Sequence, residues 1–277
     1  MELSETPFFA QTAHQCGPAA LATVLAASGQ PVNPDLLARQ VYLPQRRGSL
    51  QLEMLAATRR HGRLGVPIDP ELPALLKTIA AGHPVLVLQN LSLPWLPRWH
   101  YAVVIGYDLD SGELILRSGG NPRLVVSLLA FERTWVRSGR WAMVALSPGA
   151  LPPTVNEKEY LTAALAFEKL GKPSAALQAY DAAVRRWPAS VAFWMGLGNA
   201  AYNLHDWSRA EQAYRRAAAA PGDPVPALNN LALALAAQGR RREAIEAAEQ
   251  AVAAGGFFSA TARATLAELR ASAGTEE

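Results

Sequence analysis

The chain of 277 residues has a single cysteine, Cys16, and that scarcity excludes two classes at once. No internal disulfide framework can form, and no zinc site built from several thiolates can be assembled. Cys16 is therefore either a small buried hydrophobe or a reactive group. Charge is scarce as well: 18% of residues are charged and the formal net charge is +3. Residues 1–156 carry 13 basic and 10 acidic side chains and the remainder 13 and 13, with no Lys/Arg block or stripe to follow a phosphate backbone. A nucleic-acid partner is not supported. No run of about 18 apolar residues exists to span a membrane, and residues 1–15 lack the basic start and apolar centre of a signal peptide. His14, His61, His83 and His205 have no second ligand at metal spacing, so neither a metal nor a cofactor is expected.

What is present is apolar sequence, half of all residues, in a chain long enough for two domains. Cys16 stands at the start of an Ala/Leu-rich stretch that Gly29 ends, which predicts a helix with the thiol at its N-terminus. There the macrodipole and the unpaired N–H groups favour thiolate over thiol, the form in which sulfur is nucleophilic. A base is needed, and His100, opening the apolar run Trp99 to Asp108, is the candidate; nucleophile and base meet in the fold and not along the chain.

Further helices are expected from Asn33-Pro34, from a Ser49 cap before Leu52 and Leu55, and over Pro70 to Ala81. Strands are expected at Val85–Gln89, His100–Tyr107, Glu113–Arg117, Arg123–Val126 and Trp141–Leu146. Asp110-Ser111-Gly112 and Gly119-Gly120-Asn121-Pro122 read as turns and Ser127–Trp135 as an inserted helix. Helices first and an antiparallel sheet after them make an α+β domain over residues 1–148.

Pro148, Gly149, Pro152 and Pro153 mark a linker over 149–156. Residues 157–277 then repeat. Tyr160, Ala164, Phe167, Ala176, Tyr180 and Ala183 occupy tetratricopeptide positions. A 34-residue step leads to Trp194, Gly198, Ala210, Tyr214 and Ala217, with Tyr202 one residue past the step from Phe167, and a second step to Leu228, Ala232, Leu235, Ala244, Ala248 and Ala251. Three helix pairs with a capping helix at 258–272 follow from that period. Such an array either stabilises its neighbour or offers a concave groove to a protein partner.

Residues 1–147 resemble the papain-like double-glycine leader peptidases that process bacteriocins. The resemblance is carried by Pro7 to Gln11, His14-Gln15-Cys16-Gly17-Pro18-Ala19-Ala20-Leu21, Gly82 to Val87, His100 to Tyr107 and Phe131 to Trp135. It implies a papain-like cysteine peptidase domain acting on a peptide or protein substrate, with Cys16 as nucleophile and His100 as general base and later acid. Gln11 would hold the developing oxyanion together with the N–H of Cys16. The fusion to repeats resembles bacterial proteins of the periplasm or cell envelope. At the position of the family's orienting Asp this chain reads Arg117-Ser118-Gly119-Gly120-Asn121, with no acid; Ser118 or Asn121 is the candidate for that role, and the third member is otherwise weak or missing. Asp108 lies roughly 25 Å from His100 along an extended strand of about 3.3 Å per residue and reads as a turn residue. The alternative to an active peptidase is a weak or inactive adaptor that binds peptides or proteins. Trp95 and Trp99, beside Pro94 and Pro97, are candidates for the cleft wall and Trp135 and Trp141 for the core.

Overall fold

The computed structural model describes residues 1–10, 15–46 and 48–271. The chain forms two compact units, Met1–Ala166 and Phe167–Glu277. The division falls inside a helix, one element beyond the 149–156 linker expected from the prolines.

In the first unit, helices α1 (Cys16–Ala27), α2 (Pro34–Val41) and α3 (Gln51–Arg60) come first. Strands β1 (Tyr42–Leu43) and β2 (Gly48–Ser49) lie between the last two. Strand β3 (Leu64–Pro67), helix α4 (Leu72–Ala80), strands β4 (Val85–Asn90), β5 (Trp99–Asp108), β6 (Glu113–Ser118) and β7 (Asn121–Ser127), helix α5 (Leu128–Val136) and strand β8 (Ala142–Leu146) follow. The long strands form one antiparallel sheet in the order β3-β8-β4-β5-β6-β7. The α+β reading holds.

Local chemistry explains most of these elements. Asn33 accepts from the N–H of Asp35 and starts α2, with Pro34 at the first helical position. Ser127 accepts from Ala130 and starts α5. β4 is buried at every position, as a continuous apolar run requires. Asp108 accepts from the N–H groups of Asp110 and Ser111 and so closes the β5–β6 turn.

Two expectations are corrected. Ser49 does not cap α3: the cap residue is Leu50, with no side-chain bond, and Ser49 is instead paired with Tyr42 across β1 and β2. The turn at 119–122 is shorter than expected, because Asn121 and Pro122 already belong to β7, an edge strand where a missing N–H is tolerated. β1, β2 and β3 carry no alternation that would announce them.

The sheet has a helix layer on each face. Leu86, Leu88, Tyr101, Val103, Ile105, Ile115, Met143 and Ala145 share one core with Leu21, Val24 and Leu25 of α1, Leu37 of α2 and Met54 of α3. The alternate residues of the strands face α4 and α5, where Phe131 and Trp135 are fully buried.

The second unit takes in the end of α6 (Glu157–Lys169) and α7 (Pro173–Arg186), α8 (Val191–Asn203), α9 (Trp207–Ala218), α10 (Val225–Ala237), α11 (Arg241–Ala254) and α12 (Ser259–Ala271). Of the positions in 34-residue register, Ala176, Ala210 and Ala244 are fully buried, as are Ala183, Ala232, Ala248 and Ala251. Side chains this small let helices approach closely, and the rings of Tyr180 and Tyr214 fill what remains. A methyl group on Gly198 would stand 2.4 Å from the Tyr214 ring. Gly198→Ala is therefore expected to destabilise the repeats by about 1–3 kcal/mol despite alanine's better helix propensity. Urea unfolding checks this, and a variant as stable as the parent would contradict it.

Candidate functional site

Cys16 is the first residue of α1, whose first turn holds no acidic side chain and whose start has no side-chain cap. It is partly buried, packs against the α1 face of the core, and lines a cavity of about 550 Å³. Arg46, Gly48, Ser49, Leu50, Gln51, Leu88, Pro97, Arg98, Trp99, Tyr101 and Ser138 complete the wall. Trp99 is where the sequence suggested, on the cleft and half exposed, whereas Trp95 is 78% exposed and is not part of this wall.

Tyr101 seats the helix end. Its hydroxyl donates to the Ser49 carbonyl at 3.0 Å, and its ring meets Trp141 edge-on at 5.9 Å between centroids. Burial, and after it the neighbouring Cys16, push the phenol far above its usual range, so it stays a neutral donor. Gly17 is required at the junction: a methyl group there would stand 2.5 Å from Ser49 Oγ.

His100 leaves β5 on the other face. Its cavity, of about 170 Å³, is lined by Gln89, Leu91, Leu116, Ser118, Leu124, Val126, Ala130, Phe131 and Thr134. His100 Nε2 and Ser118 Oγ are 2.8 Å apart. Beside them Gln89 donates to Thr134 at 2.6 Å, and Thr134 in turn to the Phe131 carbonyl at 2.7 Å. Burial first, and then the Arg98 charge, hold the imidazole below its ordinary value of 6.5, so the ring is neutral at pH 7.

Of the two candidate orienting residues, the ring meets Ser118. Asn121 opens β7 and its side chain accepts from the N–H of Arg123 at 2.9 Å. Gln11, the oxyanion candidate, lies outside the described residues, as does His14. Cys16 lines the cleft with Trp99 and Tyr101, and His100 lines the cavity beneath α5. The reason is parity: Tyr101 faces α1, so its neighbour His100 faces α5. Sequence reasoning missed Ser49, Tyr101 and Arg98 at the cleft, because nothing in their local pattern ties them to Cys16.

Among the described residues no cluster of three or more His, Cys, Asp or Glu could hold a metal ion, and no helix is long and apolar enough to cross a membrane.

An α+β domain that sets a lone cysteine at a helix start, on a cleft beside a sheet bearing a histidine, is a peptidase-like domain of the papain kind. A family model agrees: the Peptidase_C39 like family matches residues 3–143, just over half of the chain, and the chain belongs to that family. Tetratricopeptide repeat models match residues 161–224 and 225–254.

Among solved structures, the chain is similar to a protein described as a C39-like peptidase from Bacillus anthracis. The two are 19% identical with a TM-score of 0.44, over 52% of this chain and 96% of that one. A double glycine motif protease from an AMS/PCAT transporter, solved with its leader peptide, is 20% identical with a TM-score of 0.42 over 51% and 91%. A tetratricopeptide protein of Thermus thermophilus is 22% identical with a TM-score of 0.39 over 53% and 73%. A comparison with curated proteins finds no match.

Proposed function

We propose that the protein is a cysteine peptidase that hydrolyses peptide bonds through Cys16 and His100, its repeats holding the substrate or a protein partner. The observation that carries this is the placement of Cys16 at the open start of α1 on a cavity large enough for several residues of extended peptide. Sulfur attacks the carbonyl carbon, His100 receives the thiol proton and gives it to the leaving amine, and water then releases the acyl group. Ser118 occupies Nε2, so Nδ1 is the ring nitrogen left for the sulfur.

A second reading, a peptide-binding adaptor without hydrolysis, is favoured by a serine where an acid would steady the imidazolium. Iodoacetamide alkylation of Cys16 separates the two. If the ring acts on the sulfur, His100→Ala slows alkylation at pH 7 by about tenfold or more, the scale of general-base assistance. Equal rates in the two proteins would assign the domain to the adaptor reading.

A further inference from the structure

The wall of the Cys16 cleft carries positive charge and no negative charge. Arg46 and Arg98 both line it, and no Asp or Glu does. Both side chains are exposed, and among the described residues neither guanidinium makes an ion pair or a hydrogen bond. Elsewhere in the same unit Arg123 pairs with Glu2 and Arg140 with Glu132. The cleft arginines have no such counter-ion.

Arg98 is anchored through its backbone. Its N–H donates to Asn90 Oδ1 at 3.0 Å, its carbonyl accepts from the N–H of Leu91 at 2.9 Å, and Asn90 is itself buried. Arg46 ends a short helical turn, Pro44–Arg46, between β1 and β2. A compact space of about 550 Å³ is about 10 Å across, close to one Debye length at 0.1 M salt, so both charges act on whatever lies over the sulfur. The open start of α1, with no acid in its first turn, adds to the same sign. The reach of the Arg98 charge is felt at His100, whose imidazole is held below 6.5 by burial first and then by Arg98.

We propose that the Cys16 cleft selects acidic peptides, with Arg46 and Arg98 holding a carboxylate that the peptide brings beside the carbonyl facing the sulfur. The proposal rests on the reading that a peptide occupies this cleft, which the peptidase and the adaptor share. An extended peptide advances about 3.3 Å per residue, so the cleft spans about three residues and a carboxylate within it lies close to the attacked bond. Guanidinium forks match the geometry of a carboxylate, so the pair sets the register of the peptide over Cys16 as well as its charge. A peptide with Lys or Arg at that place meets repulsion instead.

The test uses the full chain. Iodoacetate and iodoacetamide alkylate the same thiolate with the same leaving group and differ by one charge. The ratio of their rates therefore reads the field over Cys16 and cancels the amount of thiolate. At low ionic strength the iodoacetate-to-iodoacetamide ratio is expected to fall about fivefold in the double variant Arg46→Gln, Arg98→Gln. Arg98→Lys, which keeps the charge, should keep the ratio, and the double variant should melt with the parent because both side chains are exposed. Binding is read as protection of Cys16 from iodoacetamide. The amidated peptide acetyl-Gly-Glu-Gly-Gly is expected to protect at about tenfold lower concentration than its Gln counterpart, an advantage that vanishes in the double variant. Acetyl-triglycine, whose only carboxylate is its chain end, separates two sources of the carboxylate. Protection equal to that of the Glu peptide assigns the arginines to a C-terminus, and weaker protection assigns them to an Asp or Glu side chain. Equal protection by the Glu and Gln peptides, or a rate ratio that the double variant leaves unchanged, overturns the proposal. Neither result touches the peptidase reading, which the His100→Ala rate decides.

Discussion

Ser118→Asp is expected to raise the rate at which Cys16 is acylated by a simple peptide ester, N-acetyl-glycyl-glycine p-nitrophenyl ester, by about tenfold. The hydroxyl at 2.8 Å orients the His100 ring but offers only a dipole to the imidazolium formed when the sulfur gives up its proton. A carboxylate at that position adds a full charge. In serine enzymes the comparable group is worth roughly 10⁴-fold, and a sulfur nucleophile depends on it less because thiolate and imidazolium can form in advance.

The same change has a pH signature. In the parent, burial and Arg98 keep the ring's folded value below 6.5, so between that value and 6.5 the unfolded chain binds the additional proton. Stability then rises with pH through the window and is lost as pH falls below about 6.5. The S118D carboxylate opposes both effects: the ring's value rises, the acid limb of the acylation profile moves to higher pH, and part of the acid-side loss of stability is removed. Measured profiles that coincide in rate and in acid limb would show that the ring does not serve the sulfur.

The largest effect on stability is expected at Trp135. This side chain is wholly buried on the α5 face of the sheet, packs on Phe131 with centroids 5.6 Å apart, and donates from Nε1 to the Trp141 carbonyl at 3.0 Å. Trp135→Ala opens a large cavity and also removes one of two donors to the Trp141 carbonyl, leaving the Leu88 N–H as the other. A loss of about 3–5 kcal/mol follows, with earlier unfolding of the first unit in urea. Thr134, one residue earlier, receives the Gln89 bond beside His100, so the variant should also disturb the ring's cavity. A loss under about 1 kcal/mol would mean that α5 does not hold this face together.

Several features were legible from residues alone because their causes are local. Asn33-Pro34 starts α2 through a cap and a fixed φ, and Gly29 ends the α1 stretch at a φ of 80°. The 34-residue spacing of small and aromatic residues marks the helix pairs because each pair repeats one packing problem. β3 was not legible: Leu64-Gly65-Val66-Pro67 has no periodicity, and its pairing with β8 joins segments about eighty residues apart.

The candidate site divides along the same line. The sequence by itself determined that one thiol stands at a helix start, that a histidine opens an apolar strand, and that no acid stands in the Ser118 to Asn121 stretch. Only the tertiary structure decided that the ring bonds Ser118 and not Asn121, that Ser49 lies under Gly17, and that Cys16 lines the cleft with Tyr101 while His100 lines the cavity beneath α5. The physical reason is that a residue's type and its near neighbours set its conformation. Which face of the sheet it occupies, and what it meets there, depends on strand register across segments that the chain brings together only when folded.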